Sequence, residues 1–513
     1  MKTRMGHSFE VRESDLLGRI GKLEVGGRSV ETPYLFPVVH PVNQLVELRE
    51  LKEMGFGGLM TNSYILYKRR RDEVLTDGIH RLLDFDGLFM TDSGGYQVLE
   101  YGDLDVTYSE IASFQSRMGS DLAVTLDRPT GYSQSRKYAK GTMEYSLKNA
   151  LATIREFGAS KTVWVGPVQG GLFPDLLKRS ASSLVNAGFG FLALGSPVQV
   201  MENYRYTELV GMIVATRRAM PYSMPLHLFG AGHPHTMAMA VALGCDTFDS
   251  ASYILFARDG RYMTGRGASK LREMKYLPCS CPVCSKTSVG GILELEEKDR
   301  TRLLALHNLH VLRKELESCK EAIAEGRLWD LVEEKAATHP RLQEAFRELA
   351  KEAKLFERGT ASMKEKGLLM RGETDGHRPE ISIARRNLGG AMRRTTGTAL
   401  LLLSSSGLPI TRLRFKEGRR PEGRYDVYKM SAELGLYPAE LDFVYPFTHL
   451  VGGGGEPEGG LQDAERRLRS MGYKKVVVGR VDGAGCISLA RARSRRKRRG
   501  GAPSPRSPSS RPR

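Results

Sequence analysis

No apolar stretch in this 513-residue chain is long enough to cross a bilayer; the longest run lies near Ala399–Leu403. The N-terminus, MKTRMGHSFEVRESD, lacks the apolar segment of a secretory signal. From these two absences a cytoplasmic protein with no membrane partner is expected. Cysteine is scarce. There are six, Cys245, Cys279, Cys281, Cys284, Cys319 and Cys486, too few for a disulfide framework in a chain this long. Acid is missing from residues 491–513, which carry ten Arg or Lys, so eight of the 18 excess positive charges remain on residues 1–490. A body that is still basic suits a polyanion, with nucleic acid favoured over a membrane surface. The tail itself is low in complexity and rich in Pro and Ser, and disorder is expected there. It reads as an electrostatic arm for nucleic acid or as a solvated tail without a defined role.

Length alone suggests about three domains. Residues 8–32 alternate and are broken by Gly21, Gly26 and Gly27, which predicts a small hairpin. Eight short β-rich runs then follow: Tyr34–Val39, Gly57–Asn62, Leu88–Asp92, Leu122–Asp127, Val163–Gln169, Phe191–Ser196, Pro225–Gly230 and Asp246–Ser250. Helix-like segments alternate with them, among them Glu110–Met118, Met143–Phe157, Leu176–Ala187 and Tyr206–Arg218. Eight β/α units in about 220 residues predict an α/β fold, a TIM (β/α)8 barrel spanning residues 1–275. A zinc-binding subdomain with a charged helical extension is expected over 276–357. A linker near Gly359–Glu373 leads to a smaller α+β C-terminal domain over 374–490, and the basic tail occupies 491–513.

The metal pattern is the most specific. Cys279-x-Cys281-x2-Cys284 precedes His307, which falls on a predicted helix. Three thiolates and one imidazole make a closed tetrahedral zinc site, structural in role, one per chain. His310, one turn on, could compete. The run exits also end in polar residues and glycines. Such residues are common as turns and helix caps, yet three exits end in an acid: Asp92, Asp127 and Asp249. At the mouth of a barrel, Asp92 and Asp249 would face each other. Paired carboxylates can cleave a glycosidic bond, one as nucleophile or cation stabiliser, the other as proton carrier. Asp127 could accept from an N–H donor on a substrate. Gln169 and the backbone of Gly170 and Gly195 could complete a polar pocket. Tyr96 either stacks on a planar ring or packs in the core.

Six stretches together resemble the tRNA-guanine transglycosylases, in the same order, over about residues 8–320. They are Asp92–Ser93–Gly94–Gly95–Tyr96–Gln97, Val168–Gln169–Gly170–Gly171, Gly195–Ser196–Pro197–Val198, Asp249–Ser250–Ala251–Ser252–Tyr253, Arg258–Asp259–Gly260–Arg261–Tyr262–Met263–Thr264 and the Cys3His pattern. His227–Leu228–Phe229–Gly230–Ala231–Gly232–His233–Pro234 is similar to the archaeal members, as is YPAELDFVYPF near residues 437–447.

The resemblance implies base exchange in tRNA. The family nucleophile falls on Asp249 and the general acid/base on Asp92, while Asp127, Gln169 and Gly195 fall on base-recognition positions. In the archaeal branch the expected incoming base is 7-cyano-7-deazaguanine and the expected target is guanine 15 of the D arm, in archaeosine biosynthesis. A homodimer is also implied. Many archaeal members end in an RNA-binding PUA domain, for which residues after YPAELDFVYPF leave no room. The tail or a separate PUA-bearing protein is therefore expected to supply reach to the D arm. Three other readings stay open: a bacterial-type enzyme acting on the anticodon wobble guanine, a non-catalytic tRNA-binding paralogue and an unrelated barrel glycosidase.

Overall fold

The computed structural model describes residues 6–95, 106–131, 135–404, 410–416, 420–431, 433–452 and 460–489. Tyr96, the tail 491–513 and most of the glycine-rich stretch 452–460 lie outside them. Two compact units divide between Ile383 and Ala384. Among the described residues, no helix is long and apolar enough to cross a membrane.

The first unit opens with a three-stranded antiparallel sheet, β1 (His7–Asp15), β2 (Gly18–Val25) and β3 (Arg28–Thr32), where the sequence predicts only a hairpin. Eight parallel strands then close into a barrel: β4 (Tyr34–Val39), β5 (Gly58–Asn62), β6 (Leu88–Asp92), β7 (Leu122–Val124), β8 (Val163–Val168), β9 (Leu192–Leu194), β10 (Leu226–Leu228) and β11 (Thr247–Ser250). β11 pairs with β4 in register Thr247 to Tyr34 and Asp249 to Phe36, which completes the ring. All eight expected runs are present and the (β/α)8 expectation holds. Six are shorter than predicted; in β7, β8, β9 and β10 the last residues leave the ladder to form the barrel mouth, while β5 and β11 start one residue later.

Side chains alternate along each strand. Phe36, Met60, Met90, Val124 and Val165 fill the barrel interior together with Leu23, Val25 and Val30 from β2 and β3. The N-terminal sheet thus plugs the end opposite the strand exits. Leu35, Leu59, Phe89, Trp164 and Phe248 point outward and pack on the surrounding helices. Three of the four named helices begin earlier than periodicity alone predicts, because their caps lie upstream; the fourth, Tyr206–Arg217, begins where expected. Ser135 caps Arg136–Phe157, Pro174 occupies the first turn of Pro174–Asn186, and Thr107 forms a capping box with Glu110.

The expected helical extension is four helices, Glu297–Ala324, Leu328–Ala336, Pro340–Ala350 and Ala353–Phe356. The stretch read as a linker carries a buried Lys364, whose Nζ meets Asp15 Oδ1 at 2.7 Å and also pairs with Glu380.

The second unit holds a six-stranded mixed sheet in the order Arg414–Phe415, Cys486–Leu489, Lys475–Val481, Thr398–Ser404, Asp426–Ser431, Gly435–Pro438. Thr398–Ser404 is parallel to both of its neighbours. Leu400 and Leu402 pack on one face, Ala399 and Leu401 on the other, the latter with Ala464 and Leu468 of the helix Gly460–Ser470. The longest apolar run of the chain is therefore a strand buried on both faces.

Candidate active site and metal centre

The inward positions that line the barrel with Phe36 and Met90 become polar at the strand exits. On β11, Phe248 faces the helices, so Asp249 faces inward. Its Oδ1 accepts from His227 Nε2 at 3.0 Å and from the Gly230 backbone N–H at 2.9 Å. Gly230 has φ +61°, and a Cβ there would lie 2.3 Å from Val198 Cγ2, so only glycine can present that N–H. His227 sits on β10 between Leu226 and Leu228, both directed outward, and is itself fully buried. Its Nδ1 lies 2.9 Å from Thr247 Oγ1.

Asp92 ends β6 with the same inward parity. Its Oδ2 accepts from Asn62 Nδ2 and from the Gly94 N–H, each at 3.1 Å. Loss of hydration raises its carboxyl to about 7; the neighbouring charge of Asp127 and, less, that of Asp249 push the same way, against the Gly94 N–H. Asp127 lies three residues beyond β7. Burial raises it to about 6, opposed by Gln169 Nε2, which donates to Asp127 Oδ2 at 2.7 Å.

Gln169 is fixed at both ends. Its Oε1 accepts from Ser196 Oγ at 2.9 Å and from the Thr130 N–H and Oγ1, each at 3.2 Å. That set of donors determines which end of the amide meets Asp127. Gly195 runs directly beneath this amide, and a Cβ there would sit 2.2 Å from Gln169 Nε2.

Asp92, Asp127, Gln169, Gly195 and Asp249 all line one cavity of about 430 Å³, with Phe229, His233 and Arg258 among its other walls. That size suits a small planar molecule. Gly170 does not line it. A Cβ at Gly170 would meet Leu177 N at 2.8 Å, so this glycine packs against the helix Pro174–Asn186 instead. Tyr96 lies outside the described residues.

Sequence reasoning missed His227 as a partner of Asp249, and Asn62, Ser196 and Gly230 stood in it only as strand exits or motif members. The usable signal was the alternation Leu226–His227–Leu228, which places a polar ring on the face that carries Asp249. Chemically, the cavity combines a carboxylate held by two donors, a second carboxyl that can carry a proton near neutrality, and a rigid acceptor–amide edge. That set can displace a group at a glycosidic carbon and manage the leaving group's proton.

Cys279, Cys281, Cys284 and His307 converge with all four ligand atoms within 4.8 Å of one another, and can hold a metal ion. His307 Nε2 bonds the Met263 carbonyl at 2.9 Å, which turns Nδ1 toward Cys284 Sγ at 3.3 Å and Cys281 Sγ at 3.5 Å. This is the outer-shell arrangement of a metal-binding histidine. Tyr262 stacks on the imidazole at 3.6 Å. His310 is not in the group among the described residues. The next residue after His307, Asn308, bonds the Met263 N–H and the carbonyls of Tyr253 and Arg261. The helix Glu297–Ala324 is thereby tied to the segment that follows β11.

The family model described as queuine tRNA-ribosyltransferase matches residues 14–341. A protein of Sulfolobus acidocaldarius named tRNA-guanine(15) transglycosylase is 37% identical over 444 residues, covering 86% of this chain and 87% of that protein. One of the same name from Methanopyrus kandleri is 37% identical over 473 residues, 92% of this chain and all of the relative. Another, from Thermococcus onnurineus, is 47% identical over 343 residues, 66% of this chain and 59% of the relative.

Proposed function

The chain belongs to the queuine tRNA-ribosyltransferase family, and from that premise we propose that it is a tRNA-guanine transglycosylase acting on guanine 15. The reading is supported by the relatives' shared name and, above all, by three carboxylates from separate strand exits that line one cavity. The incoming base is proposed to be 7-cyano-7-deazaguanine, in the formation of archaeosine.

In the first half-reaction, an Asp249 carboxylate oxygen bonds ribose C1′ as the bond from C1′ to guanine N9 breaks. Guanine leaves with the bonding pair and takes a proton from Asp92. The ribose is held as an ester of Asp249. In the second half, the deazaguanine gives its N9 proton to Asp92 and its N9 attacks C1′, returning the pair to the Asp249 carboxylate. One carboxyl serves both proton transfers because its ordinary range has been raised to about 7. Asp127 and Gln169 present an acceptor beside a fixed amide, suited to the donor edge of a guanine-like base. The target nucleotide must leave its stack to enter, which costs a few kcal/mol.

Zinc is the ion that three thiolates and one imidazole fit best. Its proposed role is to fasten the helix Glu297–Ala324 to the barrel. The protein is further proposed to act as a homodimer, with the basic tail or a separate PUA-bearing protein assisting access to the D arm.

Trapping the covalent RNA adduct and mapping its residue tests the reading. The adduct should form on Asp249, and Asp249→Ala should lose exchange while still binding tRNA. An Asp249→Ala variant that still exchanged guanine would overturn it. Labelled guanine exchange on tRNAs altered at position 15 or position 34 separates the D-arm target from the anticodon.

A further inference from the structure

The two oxygens of Asp249 are not equivalent. Oδ1 receives both His227 Nε2–H and the Gly230 N–H, while Oδ2 accepts no hydrogen bond among the described residues, although Asp249 lines the cavity. The imidazole itself is held on every side. Thr247 Oγ1 meets Nδ1, the Phe229 ring lies edge-on with centroids 4.9 Å apart, and Phe36 lies 6.4 Å away. A carboxylate can only accept, so the hydrogen must sit on Nε2. A neutral ring then satisfies the whole chain, with the Thr247 hydroxyl donating to Nδ1 and Nε2–H donating to Asp249. No surface group competes, because His227 is fully buried.

We propose that His227 is a positioning residue for the nucleophile, which, together with the Gly230 N–H, reserves Oδ1 and makes Oδ2 the oxygen that bonds ribose C1′. This rests on the transglycosylase reading above and adds to it a residue and an atom. When Oδ2 attacks, the new Oδ2–C1′ bond forms as the C1′–N9 bond to guanine breaks, and Oδ1 becomes the ester carbonyl with its two donors still in place. When the incoming base displaces the ester, the Oδ2–C1′ pair returns to the carboxylate and the same two donors receive the restored charge. Donors fixed before charge develops need no reorganisation, and removing one such donor from an enzyme site typically costs roughly 100-fold or more in turnover.

The test compares guanine exchange by the full-length wild type with His227→Phe, His227→Gln, Thr247→Val and Asp249→Ala. His227→Phe keeps a planar ring but no donor. Its kcat should fall roughly 100-fold or more, with the tRNA KM within about twofold of wild type. His227→Gln restores an N–H donor and should recover most of that loss. Thr247→Val should lower kcat in the same direction by a smaller factor, since it frees the ring without removing the donor. Should Phe and Gln lose activity equally, or should His227→Phe retain wild-type kcat while Asp249→Ala is inactive, the positioning role is overturned and the transglycosylase reading stands. Absence of both exchange and adduct in the wild type would instead remove the reading on which the inference rests.

Discussion

Asp92 and Gly195 show how much of the site depends on single atoms. Asp92 carries a carboxyl raised from 3.8 to about 7, chiefly by loss of hydration. The folded protein therefore holds a proton that the unfolded chain has released between about 4 and about 7. Stability contributed by this group is full below the unfolded value and is lost as pH rises through the folded one. The melting temperature of the ligand-free protein should fall across that window, and Asp92→Asn should flatten the fall. A slope identical in the variant would show that other groups set it. If Asp92 is the proton donor, exchange should also decline above about pH 7.

Gly195→Ala would put a methyl 2.2 Å from Gln169 Nε2 and force the amide from Asp127. The expected result is a KM for the incoming base raised about tenfold or more, with an unchanged circular dichroism spectrum; steady-state kinetics against base concentration reads it. At this scale the sequence was uneven. Asp92, Asp127 and Asp249 were legible because acids at strand exits stand out against apolar runs. His227 stood only in a resemblance: the alternation Leu226–His227–Leu228 turns its ring inward, but nothing local says that it meets a carboxylate 22 residues later.

Elements were legible where periodicity carried them and poorly so where long-range partners did. The eight runs announce themselves because each is largely apolar and most end in glycine or polar residues. Lys364 has no such signal. It stands in coil, and its partner Asp15 is 349 residues away. Yet the pair joins β1 to the segment 359–373, and a third group, Glu380, closes the cluster. Lys364→Met would leave two buried carboxylates without their cation. Breaking a buried pair typically costs about 3–5 kcal/mol, and the urea midpoint should fall accordingly. The Cys3His cluster, which can hold a metal ion, is likewise a tie between elements. Cys284→Ser should reduce bound metal, measured by elemental analysis, and lower the melting temperature, because His307 and Asn308 anchor the helix Glu297–Ala324 to β12 (Arg261–Thr264) and to the residues after β11.

Across the whole molecule, the (β/α)8 unit was legible and the division of the chain was less so. The two units divide within the helix Pro379–Ala391, so no glycine- or proline-rich stretch marks the break between Ile383 and Ala384. Charge is the other molecular-scale property. Residues 491–513 carry ten cations and no acid. If the tail tracks the tRNA backbone, its deletion should weaken tRNA binding. The slope of log affinity against log salt should then shrink by about 0.7–0.9 for each phosphate that the tail had neutralised. Unchanged affinity and slope would leave the tail without that role.

The pairing of β11 with β4 has a further consequence, for biosynthesis. The strand that bears Asp249 is the last of the ring to leave the ribosome, and its neighbour is the first. Until residues 247–250 arrive, a nascent seven-strand sheet exposes two unsatisfied edges, Tyr34–Val39 and Leu226–Leu228. Closure must join segments more than 200 residues apart, a slow kind of pairing to form and one exposed to misassembly in the meantime. The same event buries the edges and brings Asp249 to the cavity that Asp92 lines, so the chain cannot assemble its proposed reactive centre before its barrel is sealed.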